Sequence, residues 1–491
     1  MILSKLIEGV QILQAQGDLD IDIQNIMIDN ANKLPNSIYF CYQGVNADGH
    51  NYFQEAISNG AVALIVERFL PTNITQIKVN NVRQIISIIC SNFYDNPQTK
   101  LKIIGVTGTN GKTTTTFMIR EMLKAAGHKV GIIGTTAIYI NEIFYPTTLT
   151  TPDPLTLFTT FNNMLNAGVE YVVMEVSAHA IDLYKINGIK FEVGVFTNLT
   201  QDHLDYFKDI KTYAECKQKF LTSKYCNNCV INVDDKYGRD YFHACDTKKF
   251  TYAIMNPSDV FALNIKMNLE GSNFVTNLFD DILRCETSLA GKFNVYNSLA
   301  ALTCCKVLGL DNKSIVMGLE NLKKVDGRFN VLDINTPYKI VIDYAHTPDG
   351  IENILKNVKA LTKGKLITVF GCGGNRDATK RPIMGKVACK YSNLVIITSD
   401  NPRFENPYTI IDQIKQATTG EVLVIENRKE AIIKALNSAF ISDTVVILGK
   451  GCEDYQEING IKYPFSDERV VREYISSIST NNLGAQSWII V

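Results

Sequence analysis

Long uninterrupted apolar runs are missing from this 491-residue chain. None nears the roughly 18 residues that a membrane-spanning helix requires, so no membrane span is expected. The opening stretch from Met1 to Glu8 carries Lys5 and Glu8 and lacks the uncharged core of a secretory signal. Together these absences predict a cytoplasmic protein. An excess of either charge is missing too, with 49 Lys and Arg against 50 Asp and Glu. That balance argues against a nucleic-acid-coating protein or a polybasic membrane binder and predicts small-molecule partners.

Cysteine pairing is sparse. The 12 cysteines are scattered, which fits reduced, mostly buried thiols better than a disulfide framework. Only Cys226-Asn-Asn-Cys229 has the spacing of a metal knuckle, and His243 and Cys245 would be needed to complete four ligands. No second such pair follows, and Val230 to Val233 continues as a strand, so buried thiols are the preferred reading. An NKxD guanine-reading motif is also absent, which weakens a regulatory or motor NTPase as an alternative.

At this length about three domains of roughly 150 residues are expected. Residues 1 to about 98 alternate short strands and helices, with strands expected at Ser37 to Tyr42 and Ala61 to Val66. The polar, proline-broken run from Asn92 to Thr99 reads as a linker and sets a first boundary near residue 99. A second unit is expected over 99–333 and a third, doubly wound one over 334–491. In that third unit strands are expected at 338–343, 365–370, 394–398, 421–426 and 444–448, with a helix over 350–361. The fold class is therefore α/β. Asn481 to Val491 fits no periodic pattern.

The second unit opens on Lys102-Ile103-Ile104-Gly105-Val106-Thr107-Gly108-Thr109-Asn110-Gly111-Lys112-Thr113-Thr114, an apolar strand entering a glycine-rich turn and a helix. It reads as a nucleotide-phosphate cradle. Gly108 and Gly111 let backbone N–H groups point inward, Lys112 supplies positive charge, and Thr113 offers a hydroxyl to magnesium. Val106 stands where the strict P-loop pattern has its first glycine, so this is a shortened variant.

Further apolar strands end in polar residues, where an open α/β sheet puts its ligands. Tyr171 to Met174 delivers Glu175, a hard oxygen ligand suited to nucleotide-bound magnesium, although a surface glutamate at a strand end would look the same. Val193 to Asn198 leads into a loop carrying Asp202, His203 and Asp205, and Ile210 to Leu221 has helical spacing and carries Lys217. In the third unit the strand ends carry Gly371 to Arg376, Asp400 to Arg403 and Gly449 to Glu453, which read as a small-molecule site.

Taken together, TGTNGKTTT, TTPD (150–153), MEVSAHA (174–180), TNLTQDHLDYF (197–207), YAECK (213–217), GKFNVYNSLAA (291–301), DYAHTPDG (343–350), GCGGNRDATKRP (371–382) and DNPR (400–403) resemble the Mur ligases, in order and over nearly the whole chain. The resemblance implies a three-domain architecture: an N-terminal UDP-binding domain, a central P-loop-type parallel sheet, and a C-terminal Rossmann-like domain that binds the amino acid. It also implies ATP-driven amide formation in bacterial cell-wall synthesis, in the cytoplasm and by a monomer. An acceptor carboxylate on UDP-N-acetylmuramoyl-L-alanyl-D-glutamate would take the γ-phosphate, and an incoming amine would displace phosphate from the acyl phosphate.

By the same resemblance one Mg2+ sits on Thr113, Glu175 and the ATP phosphates, and a second on His203 and a carbamylated Lys217. Lys112, Glu175, His203 and Lys217 are thus the expected catalytic set. ATP is expected against Gly108, Thr109, Asn110, Gly111, Lys112, Thr113 and Thr114, with Asn294, Arg328 reaching phosphate, Asp343 the ribose, and His346. Asn30, Thr150, Thr151, Ser177 and Lys185 are expected on the UDP-muramoyl dipeptide. The DNPR run, Asp400-Asn401-Pro402-Arg403, resembles the meso-diaminopimelate-adding members, with Arg403 gripping the distal carboxylate that lysine lacks. Arg376, Gly449 and Glu453 complete that pocket, Glu453 meeting the distal amino group. Ligases adding L-lysine or polyglutamylating folate are the related alternatives, and DNPR speaks against both.

Several positions depart from the family pattern. Cys452 stands for the usual histidine of GKGHE, Ala178 for the second serine of EVSSHA, and Cys216 for an alanine. Lys185 replaces an arginine, and Asp29-Asn30-Ala31 replaces DSR. An exchanged arginine keeps its charge but loses its fork, so weaker acceptor binding with retained activity is expected.

Overall fold

The computed structural model describes residues 1–29, 32–44 and 47–486. Its described residues form three large sheets and one small hairpin. The first sheet has five strands in the order Gln14–Gln16, Thr75–Lys78, Ala61–Val66, Ser37–Phe40, Asn25–Met27, parallel except for the first. Where a linker was expected, the helix Val82–Phe93 runs on, followed by left-handed Asp95 and Asn96 and a short helical turn at Pro97–Lys100. Pro97 and Gln98 are buried there, and Gln98 Nε2 donates to Ser91 Oγ at 2.7 Å, so this polar stretch is packed.

The second sheet has eleven strands. Its centre is parallel: Lys102–Thr107 lies between Phe191–Phe196 and Tyr171–Glu175, in register Val195↔Val106 and Glu175↔Val106. Successive residues of these strands feed opposite faces, Ile103 and Met174 one core and Ile104, Val106 and Val173 another. Burial on both faces explains their near-continuous apolar runs. The first of those cores also contains Leu3, Ile38, Phe40 and Ile86, so the N-terminal sheet and the central sheet share one apolar cluster. Antiparallel strands extend this sheet at both ends, including Gly271–Leu278 and Asp281–Thr287.

The third sheet runs Asn330–Val331, Lys339–Asp343, Thr444–Leu448, Leu366–Phe370, Leu394–Ile397, Val422–Val424, parallel after the first strand. Its first strand begins at Asn330, ahead of the restart expected at 334, because Val331 pairs with Val341. The final helix Asp467–Gln486 covers the start of the segment that showed no periodicity. No helix among the described residues is long and apolar enough to cross a membrane. Cys226, Cys229 and Cys245 are buried, and Cys226 Sγ donates to Phe220 O at 3.2 Å.

Candidate active site

Strand Lys102–Thr107 ends directly beneath the phosphate loop. Gly108 and Gly111 have φ of +147° and +85°, values that favour glycine. Space demands glycine as well: a Cβ would lie 1.9 Å from Thr197 Oγ1 at Gly108 and 2.4 Å from Asn297 Oδ1 at Gly111. Gly111 precedes helix Lys112–Ala125, whose first N–H groups have no intrahelical acceptor and suit an anion. Lys112 Nζ donates to the carbonyls of Gly108 (3.0 Å) and Thr109 (2.8 Å). Burial pushes its ammonium below the ordinary lysine range, opposed by the carboxylates of Glu175 and Asp202.

Glu175, 1% exposed, ends its strand against the loop. Its Oε1 accepts from Thr113 Oγ1 and from Thr135 N, both at 2.9 Å, and its Oε2 accepts from Thr135 Oγ1 at 2.9 Å. Thr113 Oγ1 also accepts from Arg328 Nη2 at 3.1 Å, and the Arg328 guanidinium stacks 4.8 Å from the Tyr344 ring. A hydroxyl and a carboxylate so placed suit a hard cation beside phosphate oxygens.

Lys217 projects from helix Ile210–Phe220 into the underside of the loop, where its Nζ donates to Gly108 O at 3.0 Å and lies 4.9 Å from the Tyr213 ring. It is 1% exposed. Burial, and then the nearby Lys112 ammonium, hold its amine well below the usual lysine range. His203 has a left-handed backbone (φ +54°) and its Nε2 lies 3.4 Å from Asp202 Oδ2. Desolvation lowers its imidazole to about 4, with Asp202 opposing, although the side chain is 44% exposed; the neutral ring keeps a lone pair for a metal.

The other residues named for ATP have defined local roles. Asn294 sits in the buried helix Lys292–Val307, donating to Ala290 O at 2.8 Å and accepting from Asn297 Nδ2 at 3.1 Å. Asp343 accepts from Phe329 N (2.6 Å) and Ala345 N (2.7 Å), which pins the segment entering the third sheet to that strand's end. Burial raises its carboxyl, against Arg328. His346 Nδ1 lies 2.9 Å from Tyr344 O.

Thr150, Thr151, Ser177 and Lys185 form a second group at the same cavity. Thr150 and Thr135 share a hydroxyl contact of 3.1 Å, Thr151 Oγ1 donates to Glu175 O at 2.8 Å, and Lys185 Nζ donates to Thr151 O at 3.3 Å. Ser177 caps the following short helix. Asn30 lies outside the described residues.

In the third unit, Asn401 Nδ2 donates to Glu453 Oε2 at 2.9 Å, and Gly449 (φ +112°) approaches Asp400 so closely that a Cβ would meet Asp400 Oδ2 at 2.5 Å. Arg403 is left-handed (φ +52°); its Nη1 donates to Gly374 O at 2.8 Å and its Nε lies 3.2 Å from Glu457 Oε2. Pro402 backs Gly374, whose added Cβ would meet its carbonyl, and Arg376 is exposed on the facing loop.

One cavity of about 1060 Å3 takes in residues from all these groups, from Thr109 and Glu175 through Lys185, His203 and Arg328 to Arg376, Arg403 and Glu453. Gly108 and Lys217 are not among its lining residues. Sequence reading missed four contributors. Lys450 is fully buried and donates to Asn401 Oδ1 (3.0 Å) and Glu453 Oε2 (2.9 Å). Glu457 pairs Arg403, Asn198 Oδ1 accepts from Asn110 N at 2.9 Å, and Asp349 accepts from Asn110 Nδ2 at 2.9 Å. Lys450, Asn198 and Asp349 lie inside motifs already quoted, whereas nothing local marks Glu457.

The phosphate loop and the Asp400–Arg403 loop share one cavity, and the comparisons identify the class as an ATP-dependent amide ligase. Residues 106–305 match the Mur ligase middle domain and 327–451 the Mur ligase glutamate ligase domain; the chain belongs to the Mur ligases. It is 41% identical over 486 residues to the UDP-N-acetylmuramoyl-L-alanyl-D-glutamate–2,6-diaminopimelate ligase of Clostridium tetani (strain Massachusetts / E88), covering 97% of this chain and 100% of that one. The ligase of the same name from Clostridium perfringens (strain 13 / Type A) is 43% identical over 485 residues, 97% of this chain and 99% of its own. A solved structure of a ligase of that name superposes with a TM-score of 0.70 at 30% identity, covering 98% of this chain and 99% of the other.

Proposed function

We propose that the chain joins 2,6-diaminopimelate to UDP-N-acetylmuramoyl-L-alanyl-D-glutamate at the expense of ATP, in the bacterial cytoplasm and as a monomer. The observation that carries this reading is the single cavity shared by the phosphate loop and the Arg403 loop. It is supported by relatives of that name at about 40% identity over nearly their full length.

In this reading a carboxylate oxygen of the acceptor forms a bond to the γ-phosphorus, and the bond to the bridging oxygen breaks as ADP leaves. The amine of the second substrate then forms the amide C–N bond, phosphate departs with the C–O electron pair, and the amine loses a proton. Two anions must approach, so Lys112, Arg328 and the helix N-terminal amides offset repulsion and stabilise charge developing on the transferred group. Thr113 and Glu175 are the residues that would hold Mg2+, which supplies further positive charge to the phosphates.

Lys217 suits carbamylation because only a neutral amine adds to CO2, forming an N–C bond and releasing a proton, and burial with the Lys112 ammonium nearby shifts it toward the neutral form. The product offers oxygen ligands and negative charge beside His203. Arg403, held at Nε and Nη1, presents a fixed guanidinium suited to a second carboxylate.

The test supplies ATP, the UDP-muramoyl dipeptide and meso-diaminopimelate, and phosphate plus tripeptide product is expected. Arg403→Ala should chiefly cost preference for diaminopimelate over lysine, by roughly ten- to hundredfold for a lost charged contact. Ligation of lysine as fast as diaminopimelate by the parent enzyme would remove Arg403 from this role. Lys217→Ala should stop turnover at phosphoryl transfer and recover partly with a small carboxylic acid.

A further inference from the structure

Asp349 opens the helix Pro348–Leu361 of the third unit, yet its side chain reaches into the central unit. Its Oδ2 accepts from Asn110 Nδ2 in the phosphate loop at 2.9 Å and from Thr200 Oγ1, in the loop leading to His203, at 3.1 Å. Asn353 Nδ2 of its own helix donates to the same oxygen at 3.0 Å. The two loops are also stitched to each other: Thr200 N donates to Thr109 Oγ1 at 3.0 Å, and Thr197 Oγ1 donates to Asn110 O at 2.6 Å.

A half-buried carboxylate beside a site for a polyanion is electrostatically unfavourable for binding phosphate. Charge-assisted bonds to two separate loops are what such a group supplies in return. We propose that Asp349 is a positioning residue that clamps the phosphate loop and the His203 loop in register only when the third unit is docked. Phosphoryl transfer is thereby tied to the presence of the unit that carries the amino-acid pocket. The inference rests on the ligase reading and adds a coupling role to a residue outside the expected site.

The experiment compares the full-length parent with Asp349→Ala and Asp349→Asn, measuring kcat, ATP affinity, and the ratio of phosphate released to amide formed. Loss of a charged hydrogen bond predicts a roughly ten- to hundredfold fall in kcat for the alanine variant. ATP affinity should change little, and phosphate should exceed product because acyl phosphate formed with the third unit undocked is hydrolysed by water, which returns the acceptor carboxylate and releases phosphate. Asp349→Asn keeps the shape and loses the charge, so it should fall between. A merely structural residue would lower kcat without changing the ratio, and that result would overturn the proposal, as would variants indistinguishable from the parent. If the alanine variant fails to fold, the asparagine variant decides on the same readouts. A parent that forms no amide would instead sink the ligase reading.

Discussion

Among the described residues Lys217 forms no ion pair, and burial and then the Lys112 ammonium outweigh the opposing pull of Cys216 and Asp202. The folded protein therefore holds this amine well below lysine's ordinary value near 10.5, whereas the unfolded chain does not. Between those two values the unfolded state binds a proton that the folded state lacks. Stability of the unmodified protein must then rise with pH across that window and fall as pH drops, with a slope of at most about 1.4 kcal/mol per pH unit from this group. Urea unfolding of CO2-depleted protein over a pH series checks the sign, and Lys217→Met should remove that component. An unchanged slope in the methionine variant would show that the lysine is charged when folded. Sequence alone exposed the type of residue at 217 through its helical setting and family likeness, but its depressed pKa depends on burial and on the Lys112 ammonium, which only folding brings to it.

Elements were legible where periodicity is strong. Tyr171–Glu175, Ala61–Val66 and Thr444–Leu448 have the expected ends because apolar runs stop where the sheet stops. The Asn92–Thr99 stretch joins the helix Val82–Phe93 to the strand Lys102–Thr107, but as a packed corner in which Asn96 and Gln98 both bond Ser91, which composition does not reveal. Side chains that meet across elements were beyond reach. Arg428, on helix Arg428–Asn437, donates through Nε and Nη2 to Asp467 at 2.8 and 2.7 Å, both side chains being buried, and its Nη1 lies 3.9 Å from Asp400 Oδ2. Nothing in the spacing of 428, 467 and 400 predicts that triangle. It ties the last helix to the floor of the Asp400–Arg403 loop. Arg428→Met leaves Asp467 buried without its cation and should cost about 3–5 kcal/mol, read by denaturant unfolding. Adding Asp467→Leu should recover much of that loss, because the penalty belongs to the orphaned charge; failure of the second change to help would point to a packing role for the arginine.

At the scale of the molecule, several polar contacts among the described residues join the central unit to the segment that opens and follows the third sheet's first strands. Asp349 is one, Arg328 to Thr113 another, and Lys292 N donating to Asn357 Oδ1 at 3.0 Å a third. Each lies at the cavity, so a ligand bound there adds contacts to both units at once. Nucleotide with Mg2+ at about 100 times its Kd should stabilise whatever it bridges by about 2.7 kcal/mol. Hydrogen exchange then gives a clear expectation: backbone amides of Gly108 to Thr115 and those of the Pro348–Leu361 helix should slow together on adding nucleotide. A chelator should reverse part of the slowing in both segments, since Thr113 and Glu175 hold the cation that links phosphate to protein in the proposed mechanism. Slowing confined to the phosphate loop would mean that the third unit does not sense the nucleotide, and that the cavity between them is adjacency without coupling.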